Sequence, residues 1–196
     1  VGKLIAMSSA AKFKNDLVVN QLSVDEKRWF ALYTKYKCEK YVADHLVKKN
    51  IESYVPVIIK TRKYARKVKH FQVPLINCYV FVRIDKSQYL PALETEFAMK
   101  FLRQGKDLLA IPSAEMDLLM RVAGDVSEAH ETNDHSFETG EDVEVVSGHL
   151  TGMQGKIISK AGKKNFVIAL ETIGFQLMIN IDLKFLKPIN NRMLIS

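Results

Sequence analysis

The sequence predicts an α+β domain, an antiparallel sheet flanked by helices, followed across a polar linker by a small all-β domain. Three observations carry this reading. The run Pro74-Leu75-Ile76-Asn77-Cys78-Tyr79-Val80-Phe81-Val82-Arg83-Ile84 is dominated by Tyr, Val, Phe and Ile without a glycine, so it reads as a strand buried on both faces at the centre of a sheet. Cys38, Val42 and Leu46 fall at helical spacing, with Ala43 and Val47 widening the stripe. Beyond Phe137 the chain changes to short β-like runs punctuated by Gly148, Gly152 and Gly155.

Taken in order, residues 1–26 hold no sustained periodicity and are expected to form a mobile N-terminal segment. Trp29-Phe30-Ala31-Leu32-Tyr33-Thr34 is a strand ended by the polar run Lys35-Tyr36-Lys37. Cys38 to Lys49 is an amphipathic helix stopped by Asn50, and the face beside its apolar stripe carries Lys37, Tyr41, His45 and Lys48. Ile51 to Ile59 is a second β-like run. Between it and the central strand, Lys60 to His70 holds six Lys or Arg side chains, among them Arg62, Lys63, Arg66 and Lys67, and no carboxylate. Two strands joined by such a segment predict a hairpin that carries positive charge away from the core; a solvated charged loop is the alternative.

Ser87 to Glu96 reads as a helix with Pro91 near its first turn, Phe97 to Leu102 as a last strand, and Gln104 to Asp107 as a turn. Ser113 caps a helix through Met116, Leu119, Met120 and Ala123 that stops at Gly124, where the first domain is expected to end. Residues 125–136 are polar and read as a linker. His130 and His135 lie there without a cysteine or a rigid scaffold beside them, so no metal site is expected. Residues 137–190 then carry strands at Val143–Val145, Lys156–Ser159, Asn165–Leu170, Phe175–Ile181 and Phe185–Leu186, with residues 191–196 as a tail. Five strands in so short a stretch predict a closed or nearly closed barrel with glycines at turns and bulges. Gly152-Met153-Gln154-Gly155-Lys156 lacks the spacing and the following Ser/Thr of a phosphate loop.

Charge and composition narrow the partners. A formal charge of +7 and a pI near 9.3 over 196 residues favour an anionic partner such as nucleic acid. No apolar run approaches the roughly 18 to 20 residues that cross a bilayer, so a cytoplasmic protein without membrane contact is expected. Cys38 and Cys78 are expected as free buried thiols. The sequence contains no nucleophile–base–acid set and no dinucleotide fingerprint, so neither an enzyme nor a cofactor is predicted.

The stretch Gly140-Glu141-Asp142-Val143-Glu144-Val145-Val146-Ser147-Gly148-His149-Leu150-Thr151-Gly152-Met153-Gln154-Gly155-Lys156-Ile157 resembles a KOW motif, and Leu183-Lys184-Phe185-Leu186-Lys187-Pro188 resembles the end of the same SH3-like barrel. Trp29 to Thr34 and Pro74 to Val82 resemble the first and central strands of the NusG N-terminal (NGN) domain. The resemblance spans about Lys27 to Ile189, giving an NGN domain at 27–124 and a KOW barrel at 137–190. Trp-Phe-x-Leu-Tyr-Thr, Pro-Leu and Tyr-Val-Phe-Val are closer to the specialised RfaH and Bacteroidetes UpxY antiterminators of capsular-polysaccharide operons than to housekeeping NusG.

The resemblance implies a monomeric transcription elongation and antitermination factor. Its first domain lays an apolar sheet face on the clamp helices of the largest RNA polymerase subunit, which favours processive, pause-resistant transcription. Carried to matching positions, that surface includes Tyr33, Ile76, Tyr79, Phe81 and Phe101. Tyr79 and Phe81 point one way on their strand and Cys78 and Val80 the other, so only one set is exposed. Lys35 and His45 match positions that contact non-template DNA in the RfaH type, with Lys37 and Tyr41 on the same helix face; Arg62, Lys63, Arg66 and Lys67 are expected to touch upstream DNA, nascent RNA or polymerase. Ile76-Asn77-Cys78-Tyr79 departs from the family's Phe-Pro-Gly/Asn-Tyr, and the RfaH-type His-Thr-Thr element has no counterpart near Gln88-Tyr89-Leu90-Pro91. In the barrel, Ile173-Gly174-Phe175 keeps the apolar tip of the loop that binds ribosomal protein S10 or Rho in housekeeping NusG and lacks its basic residue. RfaH-type barrels also refold as helices; Val, Ile and Phe with glycine turns favour strands here. A ribosome- or RNA-binding KOW protein without polymerase contact is the competing class, though it leaves Trp29 to Leu102 unexplained.

Overall fold

The computed structural model describes residues 6–8, 21–124, 140–160, 163–170, 172, 174–179 and 181–189. Two compact units divide the chain, residues 10–124 with 171–173, and residues 1–9, 125–170 and 174–196. The described elements begin with β1 (Ala6–Ser8), β2 (Arg28–Thr34), α1 (Glu39–Lys48), β3 (Glu52–Tyr54), β4 (Val57–Tyr64), β5 (Lys67–Pro74), β6 (Tyr79–Ile84) and α2 (Tyr89–Leu93). They continue with β7 (Ala98–Phe101), β8 (Arg103–Gln104), β9 (Asp107–Leu108), α3 (Ser113–Gly124), β10 (Asp142–Val145), β11 (Gln154–Lys160), β12 (Lys163–Leu170), β13 (Phe175–Ile179) and β14 (Leu186–Pro188).

The larger unit is built on an antiparallel sheet of order β3-β6-β2-β7, so β6 is central as expected. Alternation along the pleat gives each strand two sets of side chains. Phe30 and Leu32 of β2 and Val80, Val82 and Ile84 of β6 form one core with Val42 and Leu46 of α1, Ala92 of α2 and Phe101 of β7. Helix α1 follows the predicted stripe. It ends where Asn50 takes a φ of 56°, the left-handed conformation that asparagine tolerates, and the N–H groups of Lys49 and Asn50 close back on Leu46 and Val47.

Three expectations are corrected, and the basic hairpin is present. The predicted single strand from Pro74 to Ile84 is broken: Pro74 ends β5, Leu75 and Ile76 are both buried in a turn, and Cys78 takes a φ of 64° before β6 begins at Tyr79. The left-handed conformation of Cys78 is incompatible with a continuous strand through this segment. The basic segment forms the expected hairpin and not the alternative loop: β4 and β5 pair in register from Val57↔Pro74 to Tyr64↔Lys67 as a separate two-stranded sheet. The predicted helix from Ser87 is a 3-10 turn at Lys86–Gln88 leading into the short α2; Asp85 accepts from the N–H groups of Ser87 and Gln88, and Phe97 with a φ of 67° ends the segment. Order also reaches further toward the N-terminus than expected. Gln21 donates its N–H to the Leu108 carbonyl and accepts from the Ala110 N–H, the Ser23 carbonyl accepts from Lys86, and Ala6–Ser8 pairs with β13.

In the other unit the predicted strands are present as β10 to β14, in an antiparallel sheet of order β1-β13-β12-β11-β10-β14. Val143, Val145, Ile157, Phe166, Ile168 and Leu177 are buried in it. Gly148 and Gly152 occupy turns with φ of 87° and 82°, as predicted. Gly155 does something else. It lies within β11, and a Cβ there would sit 2.6 and 2.8 Å from the Phe166 ring and closer still to the Val167 carbonyl oxygen. The glycine permits the close approach of β11 and β12.

Two stability predictions follow from this backbone. Gly155→Ala forces a strand apart and is expected to lower stability by about 2–3 kcal/mol, as overpacked cores do. Gly105→Ala, at a φ of 62° with open space around it, is expected to cost only about 1 kcal/mol. Urea denaturation of the two variants beside the parent checks the order.

Candidate interaction surfaces

The sheet face opposite the α1 core carries the first surface. Direct pairing across β2 and β6 places Tyr33 opposite Tyr79, and their rings meet edge to face at 5.4 Å between centroids. Both are half-buried, and the Lys100 ammonium lies 5.8 Å from the Tyr33 ring. Burial pushes the Tyr79 phenol above the ordinary tyrosine range, with the Tyr33 hydroxyl adding to the shift. Of the residues predicted for one apolar surface, the structure brings only Tyr33 and Tyr79 together at the surface. Phe81 shares their side of β6 yet is 0% exposed, as is Ile76 in the preceding turn. Phe101 pairs with Leu32 and belongs to the α1 core on the opposite side of the sheet.

What sets the Tyr79 position is Glu39, which the sequence reading missed. This buried carboxylate, in the first turn of α1, accepts the Cys78 N–H at 2.7 Å, while the Cys78 carbonyl accepts from the Thr34 N–H at 2.8 Å. The left-handed residue before the central strand is thereby held from both sides. Cys38 and Cys78 are free, though half-buried rather than buried.

The second surface lies along α1. Lys35 stands 5.8 Å from the Phe97 ring, Phe97 meets Tyr41 edge to face at 5.1 Å, and Tyr41 stacks on His45 at 4.0 Å. One cation and three rings form a continuous ledge. Within it the His45 Nδ1 is 2.8 Å from the Tyr41 carbonyl, and the Tyr41 hydroxyl donates to the Glu96 carboxylate at 2.6 Å. That bond is the first cause of a Tyr41 pKa raised above the tyrosine norm. Lys37 does not join the ledge: it takes a φ of 65° before the helix and its ammonium lies by Tyr36. Glu96 and Phe97 were not anticipated, since the run from Phe97 reads as the start of a strand; an aromatic residue at positive φ appears only in the backbone.

Arg62, Lys63, Arg66 and Lys67 lie on the β4–β5 hairpin, where every residue from Ile59 to Gln72 is exposed. Ile173 lies outside the described residues, as do His130 and His135, and Phe175 opens β13 paired with Leu170. Among the described residues no group of His, Cys, Asp and Glu is placed to hold a metal ion, and no helix is long and apolar enough to cross a membrane.

The larger unit thus presents a half-buried tyrosine pair, an aromatic–cation ledge and an exposed basic hairpin. Residues 27–120 match the family model described as "Transcription termination factor nusG". Among solved structures the chain is similar to that described as "Domain interaction in Thermotoga maritima NusG", with 18% identity and a TM-score of 0.55 over 86% of this chain and 100% of that one. It is also similar to the "Crystal Structure of MjSpt4:Spt5 complex conformation A", with 15% identity and a TM-score of 0.29 over 82% of this chain and 97% of that one. No curated protein gives a significant sequence match. The first structural likeness bears on the fold.

Removing either carboxylate isolates its effect. Glu39→Ala leaves the Cys78 N–H without its acceptor and is expected to cost about 1–3 kcal/mol in denaturant unfolding. Glu96→Gln is expected to lower the Tyr41 pKa toward the ordinary tyrosine value, read by phenolate absorbance in an alkaline titration against a Tyr41→Phe reference.

Proposed function

We propose that the protein is a transcription elongation and antitermination factor that binds the clamp helices of the largest RNA polymerase subunit and promotes processive, pause-resistant transcription. The observation that carries this is the Tyr33–Tyr79 pair on the sheet face away from α1, in a segment that matches the NusG family model. Half-buried tyrosines held by pairing and ring contact are pre-organised anchors, and such groups supply much of the energy at protein interfaces. The proposed contact is narrower than the sequence suggests: Ile76, Phe81 and Phe101 support it from within, and Tyr33 and Tyr79 touch the partner.

Lys35, Tyr41 and His45 are proposed to take non-template DNA or nascent RNA, the cation on phosphate and the rings on unstacked bases. Phe97 supports the Tyr41 ring and belongs to the same ledge. The C-terminal sheet is proposed to be a KOW-type SH3-like barrel, supported by its strand order and the Gly155 crossing, and to offer a second docking site for a partner such as ribosomal protein S10. The RfaH/UpxY-type motifs support action on selected operons, surface-polysaccharide clusters among them. None of these roles requires a bond to be made or broken.

The test is capture of purified RNA polymerase by the full chain, by Tyr33→Ala with Tyr79→Ala, and by Lys35→Ala with His45→Ala. The tyrosine variant, folded by circular dichroism, is expected to lose at least about tenfold in affinity, as hot-spot truncation does. The Lys35/His45 variant is expected to bind core polymerase normally and to lose its effect at pauses. Failure of the parent chain to bind polymerase, together with retention on ribosomes, would replace this reading with the ribosome-binding one.

A further inference from the structure

The register of the β4–β5 hairpin sorts the basic segment in a way its sequence does not reveal. Residues directly opposite in an antiparallel pair share a face, and faces alternate along each strand. Lys60↔Phe71, Arg62↔Lys69 and Tyr64↔Lys67 therefore lie on one face, which joins the body of the unit at Ile58↔Val73. Ile59↔Gln72, Thr61↔His70 and Lys63↔Val68 lie on the other. That second face is already engaged: Thr61 Oγ1 and His70 Nδ1 are 2.9 Å apart, and Lys40 of α1 donates to the Gln72 side chain at 3.1 Å.

The first face carries four cations and two aromatic rings. Tyr64 is 45% exposed and Phe71 39%, far beyond what an inward-packed ring shows. No Asp or Glu occurs between Glu52 and Asp85, and among the described residues none of the four cations pairs with a carboxylate. The strand spacing sets Tyr64 about 13 Å along the hairpin from the Lys60–Phe71 pair, with Arg62 and Lys69 between them.

We infer that this face is a binding site for an unpaired nucleic-acid strand, with Lys60, Arg62, Lys67 and Lys69 on phosphates and Tyr64 and Phe71 as stacking platforms at its two ends. Duplex is the poorer fit, since its bases hide their π-faces and the hairpin face lacks the Asn, Gln, Asp or Glu that read base edges beside arginine. Lys63 points away and is not part of the site, in contrast to its grouping with Arg62 by sequence. The inference goes beyond the nucleic-acid role proposed above for Lys35, Tyr41 and His45 and does not depend on it.

The experiment is fluorescence anisotropy of the full chain, without polymerase, against labelled oligothymidine of about 12 nucleotides, the RNA of the same sequence, and a DNA duplex of equal length, over a salt series. Both single strands are expected to bind comparably and the duplex at least about tenfold more weakly, because ring stacking contributes on the order of a tenfold factor per base. Tyr64→Leu with Phe71→Leu keeps strand-compatible bulk, removes the π-faces, and is expected to weaken single-strand binding by roughly tenfold or more. Arg62→Ala is expected to flatten the salt dependence by about 0.7 in log–log slope, and Lys63→Ala to leave that slope unchanged. Circular dichroism of each variant confirms the fold. Duplex bound as tightly as single strand, a leucine pair that binds like the parent, binding confined to RNA, or equal slopes for Arg62→Ala and Lys63→Ala would each overturn the site. Because polymerase is absent, any of these results leaves the Tyr33–Tyr79 contact standing.

Discussion

The larger unit depends on how the chain enters its central strand. Cys78 is held at positive φ by the Glu39 carboxylate on its N–H and by the Thr34 N–H on its carbonyl. A left-handed residue without a glycine is strained by about 1–2 kcal/mol, so the surrounding bonds must over-determine it. The result is a fixed register. With Cys78 locked, Tyr79 falls opposite Tyr33, Val80 opposite Leu32 and Val82 opposite Phe30, which assigns one set to the face away from α1 and the other to the α1 core. A slip of one residue would exchange those sets.

The same clamp ties helix to sheet. Glu39 begins α1, where the helix N-terminus favours a negative charge, and Val42 and Leu46 on that helix seal the core below. From α1 the ledge follows: Tyr41 and His45 are one turn apart, and Phe97, at positive φ before β7, brings a third ring against Tyr41. The tyrosine pair and the aromatic ledge thus hang on one helix–strand junction, and the hairpin extends from the same unit.

Most elements were legible in the sequence, because periodicity survives without knowledge of partners. Val42 and Leu46 mark the helix, Trp29 to Thr34 the first strand, and the β-runs after Asp142 the second sheet. Gly148 and Gly152 announced their turns correctly. Gly155 looked the same in sequence and turned out to be a strand crossing, since only the Phe166 ring beside it distinguishes the two uses. The side chains around the two surfaces were legible unevenly for a related reason: Tyr33, Tyr41 and His45 stand out locally, whereas Glu39 and Glu96 bond to partners 39 and 55 residues away along the chain and Phe97 meets Tyr41 from another element, which no local window contains.

The sequence by itself determined that this chain pairs an α+β unit with a glycine-punctuated β unit and carries a carboxylate-free basic segment between two strands, because composition and period are local properties. Only the tertiary structure decided which apolar residues are surface and which are core, and which cations share a face. Ile76, Phe81 and Phe101 are as apolar as any interface anchor, and Lys63 is as basic as Arg62. What separates them is register, and register is set by pairing between residues far apart in the chain.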